Sequence, residues 1–319
     1  MKLTWMVLCY IGGASGFQIF GIQTPQIMDS IPRRLCELLT STKNCYYWRP
    51  RYSHQNRVGG PYIEITVSPL VTSEFIRVLD ISWNCGDQCR PGDWVALYGK
   101  PPANKNEPSL YEDVVLAKKG WVRTGVQEMR KYPRIARFHS RCLGYWAAYW
   151  SLHQDEPVAT TCLMTNPTWM EDIWEDIKHL KLNEVFLPGS HDAGSYTLHY
   201  QPYIQRKYEK YLYNQDETIL EQLIHGSRYL DLRIAYYESM GYWVNHQIVR
   251  TQMLHLVLED VLLFLNNTRE ILIIDLHGFP IGFRGSMDAH EAFLDYLRAY
   301  LGEHMAPFTG YDTTLEKIR

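Results

Sequence analysis

Long runs of one charge sign are missing from this sequence, whose 32 Lys and Arg face 35 Asp and Glu for a formal net charge of −3. Without a basic stripe there is no electrostatic footprint for a phosphate backbone, so nucleic acid is not expected as a partner. No segment approaches the roughly 20 uncharged apolar residues that a membrane helix needs. Cysteine is missing after Cys162, which confines any disulfide framework to the N-terminal half.

What is present suffices for two domains: 319 residues, 46% of them hydrophobic, can bury more than one core. The opening MKLTWMVLCYIGGASG has one Lys, an apolar stretch and small residues at Ala14 and Gly16, the pattern of a secretory signal over residues 1–16, cleaved after Gly16. A soluble, secreted, extracellular protein is expected. Removal of Cys9 leaves Cys36, Cys45, Cys85, Cys89, Cys142 and Cys162. An even number in an oxidising compartment points to disulfides, since no spacing among them is regular enough for a zinc cage. The sequon Asn266-Asn267-Thr268 makes Asn266 a candidate glycosylation site.

Residues 17–165 read as a disulfide-containing β-sandwich domain. Short alternating runs at 62–67, 75–79, 93–98 and 134–138 are punctuated by Gly and Pro, as in antiparallel sandwiches. The stretch CRPGDWVALYGK resembles a strand of immunoglobulin-like modules. Trp83, Trp94 and Trp146 are expected in the core.

After Asn166-Pro167-Thr168 the rhythm changes. Thr168 is expected to cap a helix with Ile173, Trp174, Ile177 and Leu180, followed by a strand at Val185–Leu187. Thr218 and Glu221 form a capping box, and Gly226 ends that helix before a strand from Tyr229 to Ala235. A helix over 254–265, a strand over 271–276 and a helix over 289–301 follow. Helices alternating with apolar strands imply parallel βα units. In such folds chemistry gathers at the carboxyl ends of strands, and the polar residues fall there: Ser190-His191-Asp192, Asp231 with Arg233, His246, and Asp275 with His277. Gly189, Gly194 and Pro188 are read as turn geometry.

The combination LPGSHDAGSY, GSRYLDLRI, NHQ and REILIIDLHGF resembles the X region of phosphatidylinositol-specific phospholipase C, in the metal-independent branch that includes bacterial enzymes and animal X-domain-only proteins. The likeness covers about residues 170–319. It implies a TIM-barrel-like (β/α) fold for residues 166–319. A full barrel takes about 250 residues, so only about its first half is expected here. It further implies His191 as general base and His246 as general acid, with Asp192, Asp231 and Arg233 completing the site. Asp192 is expected to pair with His246 or the phosphate environment, and Asp231 with Arg233. Asp275 and His277 sit where the family places substrate-contacting polar residues, though this sequence has no lysine there. An inositol phospholipid, or another phosphodiester lipid, is the implied substrate, with peripheral membrane contact and no cofactor.

Arg233 separates neighbouring classes: metal-dependent relatives carry a second carboxylate at that strand position, and an arginine instead supplies a fixed cation. A metal-dependent glycerophosphodiester phosphodiesterase-like enzyme stays open as the alternative. So does a secreted binding or regulatory protein without turnover, given the short barrel.

Overall fold

The computed structural model describes residues 7–11, 60–68, 77–128, 138–196, 211–284, 286–307 and 310–319. Cys36, Cys45, Gly16 and the expected strand residues Phe75, Ile76 and 134–137 lie outside them. The chain divides into two compact units: Tyr47–Ile135 with Ser140–Thr165, and Met1–Tyr46, Ala136–His139 and Asn166–Arg319. β1 (Val7–Ile11), within the segment expected to be a signal, joins a sheet of the latter.

The first unit holds two antiparallel sheets. One has β2 (Tyr62–Val67), β3 (Val78–Asn84) and β6 (Lys119–Gln127) in the order β2-β3-β6. The other has β4 (Trp94–Tyr98), β5 (Tyr111–Val114), β7 (Arg141–Trp150) and β8 (Ala159–Thr165) in the order β5-β4-β7-β8. Ile63, Leu79 and Ile81 from the first sheet share one buried cluster with Val95, Leu97 and Tyr149 from the second. Trp83 lies in that core, whereas Trp94 and Trp146 are only partly buried. Cys85–Cys89 and Cys142–Cys162 are disulfide-bonded.

The second unit is built on β9 (Gly189–Ser190), β10 (Tyr229–Tyr237), β11 (Gly241–His246), β12 (Val249–Met253) and β13 (Leu272–Ile281). β9, β10, β13 and β1 run parallel, with β13 between β1 and β10. Along β10, Leu230, Leu232 and Ile234 are fully buried in the core; the period-two alternation sends Tyr229, Asp231 and Arg233 to the opposite face. On β13, Leu272, Ile274 and Leu276 join the same core, which leaves Asp275 and His277 on the site side.

Among the helices, α3 (Ile219–Ile224) begins with the expected capping box: Thr218 Oγ1 accepts from Glu221 N and the Glu221 carboxylate accepts from Thr218 N. Gly226, at φ 111°, ends that turn. α4 (Leu254–Leu265) buries Leu254, Val257, Leu258, Val261, Phe264 and Leu265, a stripe at helical spacing that presses on the sheet. Each fully buried Leu or Val there contributes about 1.5–3 kcal/mol, so a charge at Leu258 would break the contact. α5 (Met287–Leu301) starts where Ser286 Oγ accepts from Ala289 N.

Three expectations need correction. The helix after Thr168 is two single turns, α1 (Trp169–Asp172) and α2 (Trp174–Ile177), and the Thr168 side chain caps nothing. The capping acceptor is instead Glu270, whose carboxylate takes the N–H groups of Met170 and Glu171 at 3.1 and 2.8 Å. No strand forms at Val185–Leu187, where Phe186 is 55% exposed; pairing starts at the Pro188 carbonyl, which accepts from Arg228 N and Tyr229 N. Finally, β11 is antiparallel to both β10 and β12, so His246 does not end a parallel strand. Only residues 238–240 separate β10 from β11, far too few for a parallel crossover, and Gly241 at φ 73° makes the tight return.

Candidate active site

β9, the turn after it, β10 and the β11–β12 hairpin bring His191, Asp192, Asp231, Arg233 and His246 together. His191 Nδ1 lies 2.9 Å from Asp231 Oδ2. A carboxylate only accepts, so Nδ1 is the donor in this contact and Nε2 is left without it on a side chain 48% exposed. His246 is mounted differently: its Nδ1 is 3.0 Å from the carbonyl of Leu212, which also only accepts, and its Nε2 is 3.8 Å from Asp192 Oδ2. The two rings therefore carry their fixed protons on the same nitrogen but face different partners.

Arg233 bridges the carboxylates, with Nη1 3.3 Å from Asp192 Oδ2 and Nη2 3.4 Å from Asp231 Oδ2. Asp192 has no exposed surface, and burial pushes its carboxyl above the ordinary value of 3.8, with the Arg233 charge pulling the other way. Its backbone at φ 47° is left-handed, a conformation that aspartate adopts more readily than bulkier residues. That conformation lets its N–H donate to Asp231 Oδ2 at 3.1 Å. Both expected pairings, Asp192 with His246 and Asp231 with Arg233, are within ion-pair reach; the His191–Asp231 contact was not anticipated.

Asp275 and His277 form a second group one strand away. Asp275 Oδ2 accepts from the Tyr229 hydroxyl at 2.7 Å and lies 3.3 Å from His277 Nδ1. Tyr229 is held neutral, because burial and the bond to Asp275 both push its hydroxyl well above the usual range. In register, Asp231 of β10 stands opposite Asp275 of β13. Tyr229 escaped the sequence reading although the alternation that put Asp231 and Arg233 on one face includes it.

Supporting residues were also missed. Arg228 and Glu270, both buried, pair at 2.7 Å; Arg228 also donates to the carbonyls of Leu223, Ser227 and Pro167. This knot fixes the start of β10 and so the depth at which Asp231 and Arg233 sit. Gly194 is needed for close approach more than for turn geometry: a Cβ there would lie 2.6 Å from Val244 Cγ1.

No protein-family model matches the chain. Among curated proteins, a PI-PLC X domain-containing protein of Dictyostelium discoideum is 32% identical over 114 residues, 31% of this chain and 19% of that one. PI-PLC X domain-containing protein 1 of Homo sapiens is 26% identical over 170 residues, 46% of this chain and 51% of that one. The chain is thus similar to PI-PLC X domain-containing proteins, and it spans between about a fifth and about half of the length of the curated proteins it matches. A solved structure of phosphatidylinositol-specific phospholipase C from Staphylococcus aureus aligns at a TM-score of 0.38 with 22% identity, over 48% of this chain and 49% of that one.

Proposed function

We propose that the chain is a phosphodiesterase of the phosphatidylinositol-specific phospholipase C type, its second unit a partial TIM-barrel-like domain with two-histidine acid/base catalysis. The observation that carries this reading is the unequal mounting of the two imidazoles around Arg233. His191 Nε2 takes the proton of the inositol 2-hydroxyl as its oxygen bonds to phosphorus. His246 Nε2 gives its proton to the departing diacylglycerol oxygen as that P–O bond breaks. Arg233, always charged, faces the phosphoryl oxygens, and the products are diacylglycerol and a cyclic inositol phosphate. Asp275 and His277 meet the inositol hydroxyls.

Metal independence is part of the proposal. It is supported by the guanidinium that spans Asp192 and Asp231, the two carboxylates a cation would otherwise bridge. We also propose secretion, with glycosylation at Asn266, which is exposed at the end of α4, and substrate presented as an inositol phospholipid or glycosylated inositol phospholipid at a membrane surface. Among the described residues no helix is long and apolar enough to cross a membrane.

The test is release of diacylglycerol and cyclic inositol phosphate from phosphatidylinositol vesicles with EDTA present. Turnover that survives EDTA and is lost in His191→Ala supports the proposal. Turnover abolished by EDTA and restored by calcium or magnesium overturns the metal-independent mechanism. A folded protein with no turnover overturns the enzyme reading in favour of a binding role.

A further inference from the structure

Residues 211–215 pass beside both histidines, and Ser195 holds them at two points. The Ser195 carbonyl accepts the N–H groups of Asn214 and Gln215 at 2.9 and 3.0 Å. Its hydroxyl donates to the Leu212 carbonyl, the same oxygen that receives His246 Nδ1 at 3.0 Å. A carbonyl has two lone pairs, so both bonds form at once. At the far end of this segment, the Gln215 amide donates to the His191 carbonyl at 2.7 Å.

Ser195 is itself fully buried and tightly placed. Gly194 before it packs against Val244 of β11, and the Gln222 amide donates to the Ala193 carbonyl at 2.8 Å. Among the described residues the hydroxyl donates to the Leu212 carbonyl. A side-chain O–H spent on a backbone carbonyl inside a loop contributes to stability, but here that carbonyl also receives His246 Nδ1.

We propose that Ser195 is a positioning residue that fixes the tautomer of His246 through the Leu212 carbonyl. The inference rests on the acid role of His246 proposed above. With Nδ1 as the permanent donor, protonation and deprotonation are confined to Nε2, the nitrogen that faces Asp192. After delivering its proton the ring is left as the Nδ1–H form and can be recharged at the same atom. A ring free to rest as the Nε2–H form would present a lone pair to Leu212 and repel its oxygen.

The test uses the full chain with 15N-labelled histidine, whose ring nitrogen shifts report the tautomer. Wild-type His246, when neutral, is expected in the Nδ1–H form; a dominant Nε2–H form would overturn the proposal without any variant. Ser195→Ala is expected to give a mixture of both forms and to lower kcat up to about tenfold with KM little changed, the scale of one ordinary hydrogen bond. Ser195→Thr, which keeps the hydroxyl, is expected to restore both. An unchanged tautomer and kcat in folded Ser195→Ala would sink the idea. The spectroscopic readout does not require turnover, so an inactive wild type with His246 in the Nδ1–H form, lost in Ser195→Ala, supports the positioning role while the lyase reading fails.

Discussion

His191 Nδ1 and Asp231 Oδ2 stand 2.9 Å apart, and the same carboxylate oxygen receives the Asp192 N–H and faces Arg233 Nη2. One oxygen therefore orients His191, pins the turn that carries it, and meets the guanidinium. Asp231→Asn is expected to lower kcat/KM by about 10²–10⁴-fold, the range of a lost acid/base contribution, because an amide oxygen at that place still accepts from Nδ1 but carries no charge to stabilise a protonated ring. A steady-state assay on vesicles checks it; activity within threefold of wild type would remove Asp231 from the mechanism.

Arg233→Lys is expected to behave nearly like Arg233→Ala. A lysine cannot span Asp192 and Asp231 as the planar guanidinium does, and loss of one preorganised cation or donor costs about 10²–10³-fold in kcat. Comparison of kcat for the two variants decides the point, and a lysine variant close to wild type would show that point charge alone suffices.

Asp192 links the site to stability. Burial raises its carboxyl above the 3.8 of the unfolded chain, so the folded state holds this proton more tightly than the unfolded one. The stabilisation is complete below pH 3.8 and is lost as pH rises through the raised value. Asp192→Asn, which keeps the group neutral, is expected to melt at a higher temperature than wild type at pH 7, with the gap closing toward pH 4. Its turnover should fall. Thermal scans at stepped pH test the sign; a variant less stable than wild type at pH 7 would contradict it.

The Arg228–Glu270 pair predicts a large penalty for removing one partner. Glu270→Ala leaves a buried guanidinium without its charge partner and the N–H groups of Met170 and Glu171 without their acceptor. About 3–5 kcal/mol of stability should be lost. Chemical denaturation measures it, and a loss below 1 kcal/mol would show that the pair is dispensable.

Gly194→Ala is expected to cost about 1–3 kcal/mol, the range for inserting a methyl group into a packed core, and to disturb β11 ahead of His246. Gly189→Ala should be milder, since its Cβ would approach Tyr229 Cβ no closer than 3.2 Å.

The sequence showed most of what periodicity can show. The alternation of β10 and β13 and the stripe of α4 emerged where apolar spacing demanded them, and Thr218 with Glu221 capped α3 as their types require. It failed where the determining group was distant. Nothing near Thr168 says that Glu270 supplies the cap, and nothing in His246 says that Leu212 holds its ring. The direction of β11 was legible in principle, because three residues cannot make a parallel crossover. His191, Asp192, Asp231, Arg233 and His246 do meet, because each flanks or occupies a short strand whose order the apolar residues set.

The contacts that mount the two imidazoles are short in chain terms. Leu212 is 34 residues from His246 and 17 from Ser195, and Gln215 is 24 from His191. Asp275 and His277 come instead from β13, further along the chain. The two groups of polar residues on this face of the sheet are therefore supplied by separate stretches of sequence, the histidine mounts lying within residues 191–246.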